Sequence, residues 1–572
     1  MTYANRSSVG PAVVEAFKAE KVEFVFGLAG SHVLAIFDAL ADEPQICHVV
    51  TKHENNAAFM AGMYGHLTGR PGVVLVTAGP GATNSLSGVA QAYFQSMPMV
   101  HISGGVPLGS GNEVFHGVDR DDFLHRMFAD VTKWSVRVER AEDVPDILSR
   151  AFALAVSGRP GPVHVDIPQN IIQAEGVEMP SYRPSPVEKQ APPKELVRQV
   201  RQALVKAQRP MICAGRGVLV HRAEAELVAL AEAVSAPVLH CTNSLGVIAD
   251  DHPLATGAFS QWRGNSFGWE LLSEADFVLA VGFRSGSFTV DELVQQAPEH
   301  TVLMALDEPH TLTPMEGLEA VAACDSRLFL SRLLAHAGEF RRPLDEDLTE
   351  RIARHKEAFR RGLAQYMAPY ENARPIHFGQ ATQELVSRLN QDAIVVSGVG
   401  NHNMWGFLMA PIRKRDSFIQ EGFWATMGSE LGGGIAAKLT CPKRQVVVIT
   451  GDGSLLMSAS DFVTAVETGA NILVVVLNDS RYGMINAIQR RDFERSFGDE
   501  IAPVDFVRFA ESFGATGVRV ESPEALPDAM ERALALSAQT PVILDVVCNY
   551  EHEWPRIEAI LALGLEQEVS EP

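Results

Sequence analysis

Short apolar runs alternate with stretches of helical spacing along most of this 572-residue chain. The first run is FVFGL (24–28), and HVV, GVVLVTAG, MVHISGG and PVHVDIP follow it, with segments such as PAVVEAFKAE and ATNSLSGVAQAYFQS between them. Apolar runs of this length are typical of strands that are buried on both faces, and their alternation with helices is typical of parallel sheets. The pattern therefore predicts an α/β fold made of doubly wound parallel sheets.

The alternation occurs three times, which predicts three domains of similar size. A proline-rich segment, MPSYRPSPVEKQAPPK at 179–194, separates the first series from a second one that starts with RPMICAG (209–215). A charged helical stretch leads to the third series, which runs from AIVVSGVG (393–400) to PVILDVVC (541–548). We expect domains at 1–178, 195–340 and 355–550, and a C-terminal tail at 551–572 that either closes over a site as a lid or is free.

The amino-acid composition argues against some classes of binding partner. The formal net charge is -22, and such an acidic surface repels nucleic acid and anionic membranes. No uninterrupted apolar run reaches the ~18–20 residues of a membrane span, and MTYANRSSVG has no signal-peptide pattern. The six cysteines form no CxxC pair, which favours small buried side chains in a reducing compartment. We expect a cytoplasmic protein that acts on a small molecule, without a nucleic-acid or membrane partner.

The strongest local signal is GDGS, which directly follows the predicted strand QVVVIT. Asp452 in this motif and Asn478, at the end of the next apolar run ILVVVL, fall at the carboxyl ends of two strands, where open α/β sheets bind ligands. A carboxylate oxygen of Asp452, an amide oxygen of Asn478 and the backbone carbonyl of Ser480 suit a hard divalent cation. Gly451 and Gly453 allow the backbone to approach a diphosphate closely, and the helix that follows presents N–H groups to it, with Ser454 as a further candidate contact.

A lone GDG is common in turns, but the combination with an apolar strand that closes on Asn 24 residues later is specific. It resembles the thiamine-diphosphate signature of the acetolactate synthase and pyruvate decarboxylase superfamily, and the resemblance extends over roughly 10–550. It implies pyrimidine-binding, central and diphosphate-binding domains, and thiamine diphosphate with Mg²⁺ as cofactors. The chain departs from the family's motif at Asp479, since many members have a second Asn at this position, directly after the cation ligand.

The resemblance also assigns a catalytic carboxylate. Glu54, in the helical segment KHENNAAFMAGMYG, falls where the family has its activating glutamate, whose hydrogen bond to the cofactor's pyrimidine promotes proton removal from the thiazolium ring. Read alone, Glu54 would be a first-turn glutamate favoured by the helix dipole.

Three further loops resemble cofactor-binding elements of the family. In ATMGSELGGG (425–434), Met427 corresponds to the apolar wedge under the bent cofactor, and Ala425 O and Met427 N correspond to the groups that bind its aminopyrimidine. The other loops, GVGNHN and DSRYGM, imply contacts to the diphosphate from Gly400, Asn401, His402, Tyr482, Gly483 and Met484. GPGATN (79–84) resembles the segment that lies near the cofactor of a partner subunit.

On the substrate side, two histidines are candidates for moving a proton. His32 lies in FGLAGSHVL, where benzaldehyde lyase has a histidine, and His116 lies in VFHGVD, where relatives carry Gln or His. A neutral imidazole at either position suits proton transfer on a hydroxyl group of the substrate, whereas a capping or surface histidine is the alternative for each. Ile488 replaces the tryptophan typical of acetolactate synthases, which argues against acetolactate as the product.

The middle domain has two alternatives. AGRGV (214–218) and VGFRSG (281–286) lie at strand ends where relatives bind FAD, or ADP and coenzyme A, and Arg216 and Arg284 are candidates to meet phosphates. SGSF replaces the paired aspartates typical of acetolactate synthases, and both FAD and ADP or CoA stay open.

The leading hypothesis is thus a thiamine-diphosphate-dependent lyase or carboligase acting on a 2-oxo acid or 2-hydroxy ketone, acetolactate-synthase-like. The alternatives are a 2-hydroxyacyl-CoA lyase or oxalyl-CoA decarboxylase-like enzyme and, in another class, a non-catalytic regulatory subunit. An NAD-dependent dehydrogenase is disfavoured because AGRGVL lacks the GxGxxG pattern. The resemblance implies a homodimer or homotetramer with active sites at the subunit interface.

Overall fold

The chain folds into three α/β units, each built on a six-stranded, all-parallel sheet. The structure is a computed structural model, and it describes residues 7–111, 114–259, 266–285, 287–297, 300–306, 312, 318–420, 424–549 and 554–570.

The first unit has the strand order β2-β1-β3-β4-β6-β5. Its strands are β1 (Phe24–Gly27), β2 (Cys47–Val50), β3 (Gly72–Val76), β4 (Met99–Gly105), β5 (Trp134–Arg137) and β6 (Pro162–Pro168). Its helices are α1 (Val9–Ala19), α2 (Leu34–Ala41), α3 (Glu54–Thr68), α4 (Pro80–Asn84), α5 (Leu86–Phe94), α6 (Phe123–Ala129), α7 (Val144–Val156) and α8 (Gln169–Ile172).

The second unit has the order β12-β11-β10-β7-β8-β9. Its strands are β7 (Pro210–Ala214), β8 (Val238–Cys241), β9 (Ala255–Phe259), β10 (Phe277–Phe283), β11 (Thr301–Ala305) and β12 (Ala320–Ala323). Its helices are α9 (Lys194–Lys206), α10 (Gly217–Val220), α11 (Glu224–Val234), α12 (Ser266–Glu274), α13 (Phe288–Gln296) and α14 (Ser326–Leu334).

The third unit has the order β14-β13-β15-β16-β18-β17. Its strands are β13 (Ile394–Ser397), β14 (Phe418–Gln420), β15 (Val446–Gly451), β16 (Leu473–Asn478), β17 (Thr516–Val520) and β18 (Val542–Val547). Its helices, with the connecting helix α15, are α15 (Glu346–Met367), α16 (Phe378–Val386), α17 (Asn401–Met409), α18 (Ser429–Thr440), α19 (Asp452–Leu456), α20 (Phe462–Thr468), α21 (Gly483–Phe493), α22 (Phe506–Ser512), α23 (Leu526–Leu536) and α24 (Ile557–Ser570).

The predicted α/β class and its three parallel sheets are confirmed, but the apolar runs did not reveal four strands. β5, β9, β12 and β17 each lie at the edge of a sheet. An edge strand is covered less completely than a central one, so its sequence need not be continuously apolar. β12 is mostly half-buried, and β17 carries the exposed Arg519 in its middle.

Units one and three share a hydrophobic core. Helix α3 packs against α18, and its residues from Asn56 to Leu67 are all buried. A Cβ on Gly432 of α18 would lie 3.2 Å from Cβ of Phe59, so the two helices approach closely. This packing fixes the carboxyl ends of the first and third sheets relative to each other.

The C-terminal tail packs against the connecting helix. In helix α24, a Cβ on Gly564 would lie 1.8 Å from the carbonyl oxygen of Ala358 in α15, and a Cβ on Gly362 of α15 would lie 1.8 Å from the carbonyl oxygen of Ile560. The two helices therefore cross with their backbones in contact. In the described part of the chain, no helix has the length and apolar character of a membrane span.

Candidate active site

The two predicted cation ligands lie side by side at the carboxyl edge of the third sheet. Asp452 directly follows β15 and Asn478 ends β16, and the register that pairs Gly451 with Leu477 places them next to each other. Both side chains are buried. The parallel sheet thus brings together two residues that are 26 positions apart in the sequence.

The amide of Asn478 is oriented by its neighbours. Its Nδ2 donates to Oδ1 of Asp545 at 2.9 Å, while its Oδ1 accepts from the backbone N–H of Ser480 at 3.2 Å. Ser480 adopts a left-handed conformation with φ of 53°, and its carbonyl accepts from the N–H of Ile501 at 2.9 Å. The carbonyl oxygen of Ser480 keeps a second lone pair for a cation, whereas Oδ1 of Asn478 also accepts from the Ser480 hydroxyl at 3.4 Å, a long bond that a cation ligand would replace.

Three carboxyl groups are concentrated around this pair. Burial, together with the charge of Asp545, raises the pKa of Asp452, and hydrogen bonds from the backbone at Gly453 and Ser480 oppose the rise. Burial and the charge of Asp452 raise the pKa of Asp479. A divalent cation at Asp452 would remove this repulsion.

In the residues that the structure describes, no cluster of three or more His, Cys, Asp or Glu side chains is arranged to hold a metal. The predicted set depends instead on one carboxylate, one amide and one backbone carbonyl, which is an oxygen set that Mg²⁺ accepts when phosphate oxygens and water complete it.

Glycines bring the predicted diphosphate loops into contact. A Cβ on Gly400 would lie 2.8 Å from Cε1 of His402, and one on Gly451 would lie 3.3 Å from Nδ1 of the same ring. His402 is therefore packed between the loop after β13 and the end of β15. Larger residues at either glycine would displace the ring.

The loop after β16 makes contacts of the same kind. A Cβ on Gly453 would lie 2.7 Å from Cε1 of Tyr482, and one on Gly483 would lie 3.0 Å from Nδ2 of Asn401 and 2.3 Å from Oδ2 of Asp479. Met484 follows and is half-buried. The three predicted segments around Asn401, Gly453 and Gly483 therefore converge on one place.

Two buried polar atoms at this place lack a protein partner in the described chain. They are Nε2 of His402 and Oδ1 of Asn401. Burial lowers the pKa of His402 to about 3, so the ring is neutral near pH 7 and has one N–H to donate. Helix α17 begins at Asn401 and directs its first N–H groups to the same side. An anionic diphosphate would accept from the His402 ring and from the N–H groups of α17, so these donors fit the group that the resemblance implies; Oδ1 of Asn401 is an acceptor, and a diphosphate would not satisfy it.

The loop predicted to bend the cofactor leads into α18. Ala425 has φ of 59°, which is uncommon for a non-glycine residue, and Met427 is half-buried. Gly428, with φ of 84°, donates its N–H to Oγ of Ser454 at 2.9 Å. Ser454 thus ties the Met427 loop to the GDGS motif.

Glu54 is the first residue of α3, at the carboxyl side of the first sheet. His53 caps the helix, since its Nδ1 accepts from the N–H of Asn55 at 3.1 Å. Oε2 of Glu54 accepts from Nδ2 of Asn84 at 2.9 Å, and a Cβ on Gly81 would lie 3.6 Å from Oε1. The GPGATN segment therefore contacts Glu54 within the same chain.

The two candidate histidines are in contact with each other. The rings of His32 and His116 stack with 4.9 Å between their centroids, and Phe115 stacks on His116 at 3.9 Å. Nδ1 of His32 lies 3.2 Å from Oγ of Ser31 and 3.4 Å from Oγ1 of Thr77. Burial, and then the neighbouring His116, lower the pKa of His32.

His116 has an unusual backbone with φ of 65°, and its buried Nδ1 has no hydrogen-bond partner among the described residues. A Cβ on Gly79 would lie 2.6 Å from its carbonyl oxygen. Because Gly79 starts the GPGATN segment, His116 and Glu54 lie at the same edge of the first sheet.

The site consists of two half-sites, one on the first sheet and one on the third. Among the described residues, no hydrogen bond or ion pair joins Glu54, His32 or His116 to Asp452 or Asn478. Besides the shared hydrophobic core, the first and third units are joined by hydrogen bonds to Asp461, which accepts from the N–H of Lys52 at 2.9 Å and from Nδ2 of Asn56 at 2.6 Å.

Two adjoining cavities, of about 300 Å³ and about 250 Å³, lie between the first and the central unit and share Arg216 in their walls. The guanidinium of Arg216 donates to the carbonyl oxygens of Gln95 and Asn243, so protein groups already satisfy much of it. The guanidinium of Arg284 lies 5.7 Å from the ring centre of Phe94, and its buried Nε has no hydrogen-bond partner in the described chain. Residues 286 and 288 of the SGSF segment are outside the described side chains.

Sequence patterns did not reveal three features of these sites. Asn84 is one, although it stands in the quoted GPGATN segment. Another is His66, whose Nε2 lies 3.0 Å from Oδ1 of Asp416 and whose Nδ1 faces Arg216 at 3.1 Å, so that it joins all three units. The third is Glu430, a fully buried carboxyl group in the helix after Met427; a charged residue among glycines was its only signal.

Comparisons with known proteins agree with this arrangement. The chain matches the family descriptions "thiamine pyrophosphate enzyme, N-terminal TPP binding domain" at 7–125, "central domain" at 197–333 and "C-terminal TPP binding domain" at 398–546. It is 33% identical to the acetolactate synthase isozyme 3 large subunit of Escherichia coli K12, over 95% of both chains. A probable acetolactate synthase large subunit of Methanocaldococcus jannaschii is 29% identical over 96% of this chain and 93% of the relative. The acetolactate synthase large subunit of Corynebacterium glutamicum is 29% identical over 97% and 89%.

Proposed function

This chain belongs to the thiamine pyrophosphate enzyme family, in the acetolactate synthase and pyruvate decarboxylase superfamily, and on that premise we propose how its residues serve the reaction. It is a thiamine-diphosphate-dependent enzyme that forms or cleaves carbon–carbon bonds, with acetolactate-synthase-like carboligase function. We propose that its substrate is a 2-oxo acid or a 2-hydroxy ketone. The observation that carries the proposal is the pairing of Asp452 with an oriented Asn478 at the carboxyl edge of the third sheet.

When bound, thiamine diphosphate supplies a carbon nucleophile that adds to the carbonyl carbon of a substrate. Asp452, Asn478 and the carbonyl of Ser480 would hold the Mg²⁺ that binds the diphosphate. His402 would donate from its ring to the diphosphate, and the N–H groups at the start of α17 would add to the favourable field there. The glycines at 400, 451, 453 and 483 keep the backbone close enough for these contacts.

Glu54 would form a hydrogen bond to the pyrimidine ring. Because Asn84 donates to Oε2, Oε1 is the oxygen that would remain for the cofactor. Met427 would provide an apolar support for the cofactor, and the backbone at Ala425 and Met427 would bind its aminopyrimidine. The left-handed conformation of Ala425 supports this role, since strained backbone is frequently retained at ligand sites.

His32 moves the proton of the substrate's hydroxyl group, and His116 holds it in place by stacking. Burial keeps His32 neutral near pH 7, which is the form that can accept a proton. The neighbouring Phe115 is 72% exposed in the single chain, so this end of the half-site is open to a substrate or a partner subunit.

We propose that the active unit is a homodimer or a homotetramer, with each site built from the first unit of one chain and the third unit of another. The lack of a bond between the half-sites in the described chain supports the arrangement, as do large exposed apolar residues near them, namely Phe115, Trp424, Met457 and Phe497. Co-expression of Glu54→Gln and Asp452→Ala chains tests it. Random pairing across a two-fold axis restores about a quarter of wild-type activity, whereas sites confined to one chain give none.

The Arg284 side of the central cavities supports a phosphate-bearing ligand, and FAD and ADP or CoA remain the two alternatives for it. Absorbance spectra and nucleotide analysis of the supernatant after denaturation distinguish them. The cytoplasmic location stays a prediction.

The metal assignment is tested with Asp452→Ala. The variant lacks the carboxylate that would hold Mg²⁺, and with it the cation that would link the diphosphate to the protein, so calorimetry is expected to show binding of thiamine diphosphate weakened beyond detection. Asp528→Ala, which removes an exposed acid from the same unit, is the matched control and is expected to bind normally. Undiminished affinity in the Asp452 variant would disprove the assignment.

A further inference from the structure

Glu430 is a buried acid to which the sequence assigned no role. It is the second residue of α18, three positions after Met427, and its side chain is 0% exposed. A carboxyl group is rarely placed so deeply in a protein unless its hydrogen bonds are needed there. Its position next to the cofactor loops therefore calls for a specific function.

The carboxyl group contacts the segments that surround the diphosphate half-site. Oγ1 of Thr450, at the end of β15, donates to Oε1 of Glu430, and the hydroxyl group of Ser454 is also hydrogen-bonded to the carboxyl group. Through Gly428, whose N–H donates to the same Ser454, this network includes the Met427 loop. One side chain thereby joins both ends of the TGDGS segment, 450–454, to the helix that carries it.

The third contact is with the loop after β13. A Cβ on Gly398 would lie 2.2 Å from Oε2 of Glu430, so only a glycine at this position leaves space for the carboxyl group. Gly398 begins the GVGNHN segment that carries Asn401 and His402. All three loops of the half-site thus meet at Glu430.

The ionisation state of Glu430 fits such a position. Burial raises the pKa of its carboxyl group, and the hydrogen bonds from Ser454 and Thr450 only partly oppose the rise. Oε2 has no hydrogen-bond partner in the described chain. Burial therefore disfavours the carboxylate form, whose negative charge would repel a diphosphate above it.

We propose that Glu430 is a positioning residue, whose carboxyl group links the 398–403, 425–428 and 450–454 loops in the arrangement that binds the diphosphate, without touching the cofactor itself. The inference rests on the proposed placement of the cofactor around Asp452. It predicts that cofactor binding depends on the contacts between the Glu430 carboxyl group and the three loops, and not on a negative charge at this position.

Glu430→Ala and Glu430→Gln separate these contributions. Glu430→Ala removes the acceptor that joins Thr450 to α18 and leaves the hydroxyl only the carbonyl oxygen of Gly451 at 3.1 Å; it is expected to weaken thiamine diphosphate binding roughly 10- to 100-fold, the loss typical of a broken buried hydrogen bond. Glu430→Gln keeps the shape and the acceptor oxygen, and affinity within about 3-fold of wild type is expected. Calorimetry of the purified apoprotein at saturating Mg²⁺ measures both, independently of turnover.

A merely structural role would lower the thermal stability of the apoprotein but leave the affinity of the folded protein unchanged. If Glu430→Ala binds the cofactor as tightly as wild type, or if Glu430→Gln binds as poorly as Glu430→Ala, the inference is wrong. Should the Ala variant fail to fold, Thr450→Val removes the same hydrogen bond from the other side and is expected to weaken binding in the same direction; unchanged affinity there overturns the proposal.

Asp452→Ala in the same titration separates this inference from the proposed function. Normal binding by Asp452→Ala would mean that the diphosphate lies elsewhere. Weak binding by Asp452→Ala, together with normal binding by Glu430→Ala, would leave the site in place and refute only the role of Glu430.

Discussion

Replacing Gly564 by alanine should release the C-terminal helix from the enzyme. The added Cβ would lie 1.8 Å from the carbonyl oxygen of Ala358, whereas such contacts essentially never fall below 3.0 Å, so α24 must move away from α15 by at least about 1.2 Å. Complete release of α24 uncovers Ile560 and Leu561, which are 0% and 3% exposed, and sets the upper limit of the loss. At ~1.5–3 kcal/mol for each buried side chain, docking of α24 would weaken by about 3–6 kcal/mol.

Hydrogen exchange followed by mass spectrometry measures this loss directly. A weakening of about 3–6 kcal/mol corresponds to a decrease of roughly 10²- to 10⁴-fold in the protection of amides in α24, because each ~1.4 kcal/mol is a factor of ten. Leu565→Ala is the matched control, since Leu565 is 49% exposed and its truncation should leave protection unchanged.

Turnover in the same variant decides between the two readings of the tail. The structure places α24 against α15, so kcat and KM should stay within about twofold of wild type. A large decrease in kcat on release would mean that the tail acts as a lid. Unaltered exchange in α24 of Gly564→Ala would refute the close helix crossing itself.

Three further outcomes are expected. Glu54→Gln should retain cofactor binding but lower kcat roughly 10²-fold or more, and wild-type exchange of the C2 proton of the bound cofactor by NMR would contradict its role. His32→Ala should slow the carbon–carbon step by about 10²–10⁴-fold, whereas His116→Ala should mainly raise the pKa of His32 and move the acid limb of the pH–rate profile to higher pH. Wild-type turnover in both variants would mean that both histidines have only structural roles. Burial lowers the pKa of His101 to about 3 and that of His240 to about 4, so the unfolded chain takes up their protons first, and the stability that these two groups contribute is complete above pH ~6.5 and is lost as the pH falls below it; buried Asp166, whose pKa burial raises to about 7, acts in the opposite direction. A His101→Gln, His240→Gln variant whose melting temperature falls as steeply as that of the wild type between pH 7 and pH 5 would argue against this.

The central strands of each sheet could be predicted from sequence because they are buried on both faces. VVVIT in β15 and LVVVL in β16 are continuous apolar runs that end at the site residues. By contrast, TGVRV in β17 contains an exposed arginine, and its strand character depends on pairing with β18. The local sequence does not show which strands pair with each other, so the edge strands were not predicted.

The residues of the candidate site also include some that could be predicted from the sequence and some that could not. Asp452 and Asn478 could be predicted because each directly follows an apolar strand, and the parallel sheet then determines their proximity. The role of Glu430 and its contact with Gly398 could not be predicted. The contact joins the loop after β13 to helix α18, and the relative placement of these two elements depends on packing. The stacking of His32 on His116 likewise depends on a loop with positive φ that no periodicity indicates.

The packing of α3 against α18 has a consequence for the synthesis of the chain. Helix α3 is buried from Asn56 to Leu67 and has no polar face, yet α18, which covers it, lies roughly 370 residues further along. At ~5–20 residues per second, the ribosome needs about 20–75 s to reach the end of α18. During that interval the helix that carries Glu54 has no intrachain partner from the third unit, so its apolar surface is available to chaperones or to a neighbouring nascent chain. Production of this enzyme should therefore depend more strongly on chaperone supply and translation rate than that of a protein whose core is closed within each domain.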